Sequence, residues 1–251
     1  MKRLILMSTL MFMCIQLGHT AWTESSRATT GMEITLSTIT TRVRQIIDDP
    51  NSTYGTVRYS SATIYGLVDT GHKMLCIQTQ ALSVSATTQL TANTTTYTLP
   101  TNCMFIEKVT VDKLDGLGEQ YISMKTTWRL DLEAKTWSIH ASSQVPTAYY
   151  VYGRELGVYP VPDHTGAILK IYYIKSPTTL DSEDDLIFDG MTNMQPYWDL
   201  LATYAASKIY LQEGNSGMAQ ALATEWVGGI KDLMSFIRYA PNYTPENIMG
   251  N

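Results

Sequence analysis

Few residues of this chain have the type and spacing for chemistry. The run Asp181-Ser182-Glu183-Asp184-Asp185 is the densest group of carboxylates, and such a group could hold a divalent cation. A calcium loop, however, alternates its oxygen ligands with spacers and turns on a glycine. The run has neither, so it reads as a solvated acidic turn. The Asp184/Asp185 pair shares that turn, where nothing would shift a carboxyl pKa as acid–base work requires. Cys14, Cys76 and Cys103 are odd in number and form no C-x-x-C. Buried free thiols are expected, and a Cys76–Cys103 disulfide stays open because sequence does not place their Cβ atoms. His19, His72, His140 and His164 are dispersed, and none stands at a ligand spacing from a cysteine or another histidine. There is no G-x-S-x-G, H-E-x-x-H or P-loop. No catalytic, cofactor-binding or metal-binding residue is assigned, and the chain reads as a non-enzyme.

Composition points the same way. Of 251 residues, 44% are hydrophobic and only 16% charged, which leaves an unusually neutral surface. Thr, Ser and Tyr fill the gap, with Tyr alone occurring 16 times. Tyrosine suits partner contacts because it adds apolar area and a hydrogen-bonding tip; it is equally a good strand former. The net charge is −5 and the pI about 5.3. Affinity-driven nucleic-acid binding needs clustered Lys and Arg, and here the basic residues are scattered.

The N-terminus admits three readings. Met1–Leu17 has a basic start, Lys2-Arg3, and an apolar run from Leu4 to Leu17, as a secretory signal does. Cleavage after Ala21 would put His19 where a small residue is wanted. The run is short for a membrane anchor, which takes about 20 residues. The remaining reading makes Met32 the ancestral start and residues 1–31 an apolar extension or interface arm.

Positioning elements follow from periodicity. Ile39, Val43 and Ile46/Ile47 predict a helix over 36–47, capped by Ser37 or Thr38 and ended at Asp48-Asp49-Pro50. Ile64, Leu67, Val68, Gly71, Leu75 and Leu82 predict a second over 60–82, capped by Ser60 or Ser61. From 84 to 175 the period becomes two. Short strands are expected at 87–90, 95–99, 104–111, 120–124, 128–132, 137–140, 148–152, 156–159 and 167–174. The last is apolar on both faces and should be central in its sheet. A third helix should open at Met194-Gln195-Pro196, with Pro in the first turn. A fourth should follow Gly214, capped by Ser216, and the tail from Tyr239 should be irregular. The expected class is α+β: a helical bundle of two N-terminal and two C-terminal helices, with an inserted antiparallel β-sandwich or barrel-like module. The expected divisions are an extension over 1–31, helices over 32–83, the β-module over 84–180, helices over 181–238 and an extended tail over 239–251.

Four stretches, in this order, resemble the head-to-tail adaptor (connector) proteins of tailed phages. These are ITLSTITTRVRQIIDDPN, TTTYTLPTNCMFIEKVTV, LGVYPVPDHTGAILKIYYIKSPTTL and MQPYWDLLATYAASKIYLQEGNSGMAQALATEW, together covering about residues 33–238. The resemblance implies a structural virion protein in the neck, assembled in the host cytoplasm. It implies a homo-oligomeric ring, commonly of twelve copies, between the portal protein and the tail nozzle and tail fibres. DNA would pass through the ring without specific binding, and no membrane would be involved. Residues 1–31 depart from the family pattern. A docking tail toward the portal is expected from Ile237, Arg238, Tyr239, Pro241, Tyr243 and Pro245, since this end is aromatic and stiffened by proline. The competing reading is a secreted or surface β-rich binding module. It rests on the signal-like start and the N-x-S/T sequons at Asn51, Asn93 and Asn242.

Overall fold

The computed structural model describes residues 22–24, 34–49, 57–113, 118–133, 141–142, 145–190 and 192–239. Helix α1 spans Leu36–Ile46 and buries Leu36, Ile39 and Val43. These residues recur every three or four positions, so one face is apolar. Its first amides find no side-chain cap. Leu36 N–H donates to the Asp185 carbonyl at 2.9 Å and Ser37 N–H to the Glu183 carbonyl at 3.1 Å. The acidic turn therefore does the work expected of Ser37 or Thr38. The turn is itself fastened by the Asp185 carboxylate, which accepts the Asp181 and Ser182 amides at 2.7 and 2.8 Å. Those amides, Ser182 foremost, hold the Asp185 carboxyl below its ordinary pKa.

The exit of α1 is organised by Asp49, whose side chain is fully buried. It accepts from Arg44 Nη1 at 2.9 Å and from the backbone amides of Arg58 and Tyr59. A buried ion pair adds little net stability, but loss of one partner strands the other. The network thus fixes where the chain re-enters for helix α2, Ser61–Thr79. There the Ser60 hydroxyl accepts the Thr63 amide at 3.2 Å, as expected of a capping serine. Helix α2 stops at a left-handed Gln80, so residues 81–82 are not helical, contrary to the expected extent.

Helix α4 is Asp199–Gln212 and α5 is Ser216–Tyr239. Helix α4 starts later than expected. Pro196 disfavours the α conformation in the residue before it, and 192–197 form a 3₁₀ turn instead. Asn215, and not Ser216, caps α5 by accepting the Met218 amide at 3.2 Å. Tyr239 is the last helical residue, where an irregular chain was expected. All residues from Leu201 to Ser207 are buried, because α4 contacts α1, α2 and α5. These four helices share one apolar core.

Eleven short strands are seen among the described residues. One antiparallel sheet runs β1 (Thr23–Glu24), β2 (Ser83–Gln89), β11 (Ile168–Lys175), β4 (Cys103–Asp112) and β5 (Glu119–Tyr121) in that order. The second, mixed sheet runs β3 (Thr96–Thr98), β9 (Glu155–Tyr159), β8 (Ala148–Tyr152) and β6 (Ser123–Met124). Strands β7 (Ala141–Ser142) and β10 (Val161–Pro162) form a parallel pair. Neither sheet closes into a barrel. Strand β11 is central, as its two apolar faces required. Leu169, Ile171 and Tyr173 of β11 meet Tyr149 of β8 and Leu156 and Val158 of β9 in a second core. Ile122 lies between β5 and β6, where the chain passes from one sheet to the other.

Two expectations fail here. Residues 128–132 form helix α3, Thr127–Glu133, and not a strand. Trp128, Leu130 and Leu132 alternate like a strand, but Thr126 caps a turn by accepting the Arg129 amide on its hydroxyl at 3.3 Å. Thr23–Glu24, placed in the extension over 1–31, instead extend the first sheet by pairing with Thr87 and Ala86. The strand expected at 137–140 lies outside the described residues.

The two glycines of α2 predict opposite outcomes. A Cβ on Gly71 would sit 2.7 Å from the Tyr204 ring of α4, whereas one on Gly66 meets nothing within 4 Å. Gly71→Ala should destabilise the fold by about 1–3 kcal/mol through overpacking. Gly66→Ala should stabilise it by up to about 1 kcal/mol through helix propensity. Urea denaturation of both variants beside the parent checks the signs.

Candidate interaction surfaces

The nearest approach to a catalytic arrangement lies under α2. His72 and Cys76 stand one helical turn apart, and Asp189, paired with Lys175 at 2.7 Å, acts on both. Types and order suggest a thiol, a base and an orienting carboxylate. The environment argues otherwise. His72 and Cys76 are buried, and burial pushes the thiol up, away from the thiolate a nucleophile needs. His72 Nε2 is already used, accepting the Phe188 amide at 3.1 Å. That bond holds a strained turn in which Phe188, Asp189 and Gly190 all have positive φ, of 52°, 50° and 74°. The cluster is a clamp on the segment before α4.

The other residues considered for chemistry are also structural. Asp181, Glu183 and Asp184 are exposed, and no group of His, Cys, Asp and Glu among the described residues is placed to hold a metal. Cys76 and Cys103 are free thiols. Two carboxylates are tied to tyrosines instead. Glu24 accepts from the Tyr173 hydroxyl, which lowers its pKa. For Glu119, burial would raise the carboxyl, but hydrogen bonds from Lys170, Thr110 and Tyr172 outweigh it and bring it down. Tyr173 and Tyr172 thus bury their rings in the sheet and spend their hydroxyls on internal carboxylates.

What remains is surface available to partners. On the helices, Met74 and Ile77 of α2, Leu211 of α4 and Met218, Val227 and Phe236 of α5 are exposed. On the β-module, Phe105, Tyr121, Met124, Trp128 and Tyr152 are exposed. Phe105 and Met124 border a groove of about 390 Å³ with Leu99, Cys103, Val151 and Arg154. The groove opens between β4 of the first sheet and β6 and β8 of the second. Its signal in sequence was the uninterrupted Met104-Phe105-Ile106, which must place an apolar side chain on each face of β4. No helix among the described residues is long and apolar enough to cross a membrane.

The expected docking tail is divided by the end of α5. Ile237 is half-buried against the helical core and lines a small pocket with Gln78, Glu107 and Met234. Arg238 and Tyr239 belong to the helix. Pro241, Tyr243 and Pro245 lie outside the described residues.

The family model for the SU10 adaptor protein matches residues 34–245, most of the chain. The chain belongs to the SU10 adaptor protein family. The match begins at Ile34, just before α1, and agrees with a phage head-to-tail adaptor. Membership in an adaptor family accords with the apolar side chains exposed on the helices and strands. No curated protein matches the chain.

The His72 clamp predicts a pH dependence of stability. Burial keeps the imidazole neutral, with its pKa pushed down to about 4, against the opposing pull of Asp189 and Asp69. An unfolded histidine protonates near its ordinary value of about 6.5. The stabilisation is therefore complete above that value and drains as pH falls from about 6.5 to about 4, by about 3 kcal/mol in all. His72→Gln should flatten this window in denaturation measurements. An unaltered slope would show that another group titrates.

Proposed function

We propose that this adaptor is the protomer of a closed ring seated between portal and tail. In this reading the ring lines the DNA channel and anchors tail components. The observation that carries it is the exposure of apolar side chains on more than one helix of the body, α2 at Met74 and Ile77, α4 at Leu211 and α5 at Met218, Val227 and Phe236. A ring closes through a heterologous contact, in which one patch of each copy meets an unlike patch of the next. A symmetric dimer would need only one patch. The acidic net charge of −5 suits a channel through which DNA slides without sticking. A ring of twelve copies follows from the family resemblance. The division into a helical body and an inserted β-module, spanning 84–180, gives each copy one part to tile around the axis and one to face tail components.

Two substitutions test the contact. Ile77→Asp and Val227→Asp should each leave a folded chain that no longer closes rings, as read by native mass spectrometry. Mixing the two variants should yield dimers, because one retains an intact α5 face and the other an intact α2 face. A parent chain that stays monomeric with portal and tail proteins present overturns the reading.

The portal is proposed to receive the C-terminal end, residues 237–245, with α5 delivering the segment that follows Tyr239. Ending the chain at Tyr239 should leave helix content and thermal stability unchanged while abolishing portal binding in a pull-down. Retained binding would assign the portal contact to another surface.

A further inference from the structure

One side of the β-module is only half closed. Strands β5 and β6 follow each other in the chain, and between them they cover one edge of each sheet. Strand β5 pairs with Thr110–Asp112 of β4, and the Ile122 amide adds a last rung to the Val109 carbonyl at 3.1 Å. Strand β6 pairs with Ala148–Tyr149 of β8. Along this edge of β8 the Ser123 amide reaches the Thr147 carbonyl and the Lys125 amide the Tyr149 carbonyl, at 3.2 and 2.7 Å. Acceptors on one strand edge recur every second residue, so the next is the Val151 carbonyl. Before that rung is made, Thr126 turns the chain away into α3. Among the described residues, no strand pairs with this side of β4 from Cys103 to Lys108, nor with this side of β8 from Tyr150 to Tyr152.

The groove runs along these two bare stretches, with Phe105 and Ile106 of β4 on one wall and Tyr149 and Val151 of β8 on the other. An unpaired edge is a template for another strand. Extended peptides add to such edges through main-chain bonds, while alternate side chains enter the pockets alongside. Phe105 and Met124 stand 51% and 60% exposed at the groove, ready to cover apolar side chains. Charge narrows the ligand further. None of the residues lining the groove is a carboxylate, although the whole chain carries −5. Arg154, exposed at the turn between β8 and β9, lines it instead. Its Nη2 donates to the Pro100 carbonyl at 2.6 Å. A guanidinium has five N–H donors in a planar fork that matches a carboxylate. We infer that the groove is a strand-addition site for an extended segment of a partner protein, apolar at alternate positions and with an acidic side chain opposite Arg154. The segment takes up the line that β5 and β6 begin and that the chain leaves at Thr126.

Synthetic peptides added to the full-length chain supply the test. Each has about eight residues, a common strand length, alternating valine and threonine with one glutamate stepped through every position. A second panel carries lysine in place of glutamate, and a third has either alternate set of backbone amides methylated. Binding is read by fluorescence anisotropy and mapped by hydrogen exchange. The best glutamate peptide should bind about tenfold more tightly than its lysine counterpart, the gain of one charge-assisted hydrogen bond. It should protect the amides of residues 104–108 and 151–152, and methylating one of the two sets should abolish binding. Arg154→Glu should reverse the charge preference. Met124→Asp, at an exposed site, should weaken all the peptides alike while helix content stays unchanged. A panel without binding, equal binding of the two charges, indifference to both methylated sets or protection elsewhere overturns the inference. So does a parent oligomer that Phe105→Asp takes apart, since the groove would then hold a second copy.

Discussion

The structure depends on one requirement: the middle of α4, from Leu201 to Ser207, is buried on all sides and needs neighbours from both ends of the chain. Its small residues, Ala202, Ala205 and Ala206, let other helices come close, and none of its middle positions tolerates water. Helices α1 and α2 precede the strands in sequence, and α5 follows them. Covering α4 therefore forces the chain from Ser83 to Lys175 to leave the helical layer and return. The return is solved by pairing the first long strand with the last, so that Ser83 of β2 faces Ile174 of β11. Val84, beside that point, touches the helical core and the sheet core alike.

Against this frame, the polar interactions act as locators more than as sources of stability. Asp49 fixes the exit of α1, Asp185 shapes the turn that caps its start, and His72 holds the positive-φ turn ahead of α4. Each is a buried or multiply bonded group serving backbone amides. Their common task is to fix where the backbone turns.

Much of this was legible in the chain itself. Ile39 and Val43, or Ile64, Val68 and Leu75, announce helices because three-to-four spacing has no other simple reading. Strand β11 declared its central place by being apolar on both faces. The failures have physical causes. Residues 127–133 alternate like a strand, and only the local bonds of Thr126 decide for a helix. The capping of α1 came from carbonyls roughly 150 positions away, and no local pattern encodes a partner that distant. Thr23–Glu24 went unread as a strand because a two-residue edge strand has too few positions to show a period. The surface groove was hidden for a related reason, since its walls come from two sheets whose adjacency only folding reveals.

The joint between helices and strands carries a mechanical meaning. The chain crosses to the strands just before Ser83 and crosses back just after Lys175, so both connections attach at the same end of the β2–β11 pair. Tension that draws the two layers apart would open that pair like a zipper, one rung after another, instead of shearing all its rungs together. Compression along the same line would instead press the rungs shut.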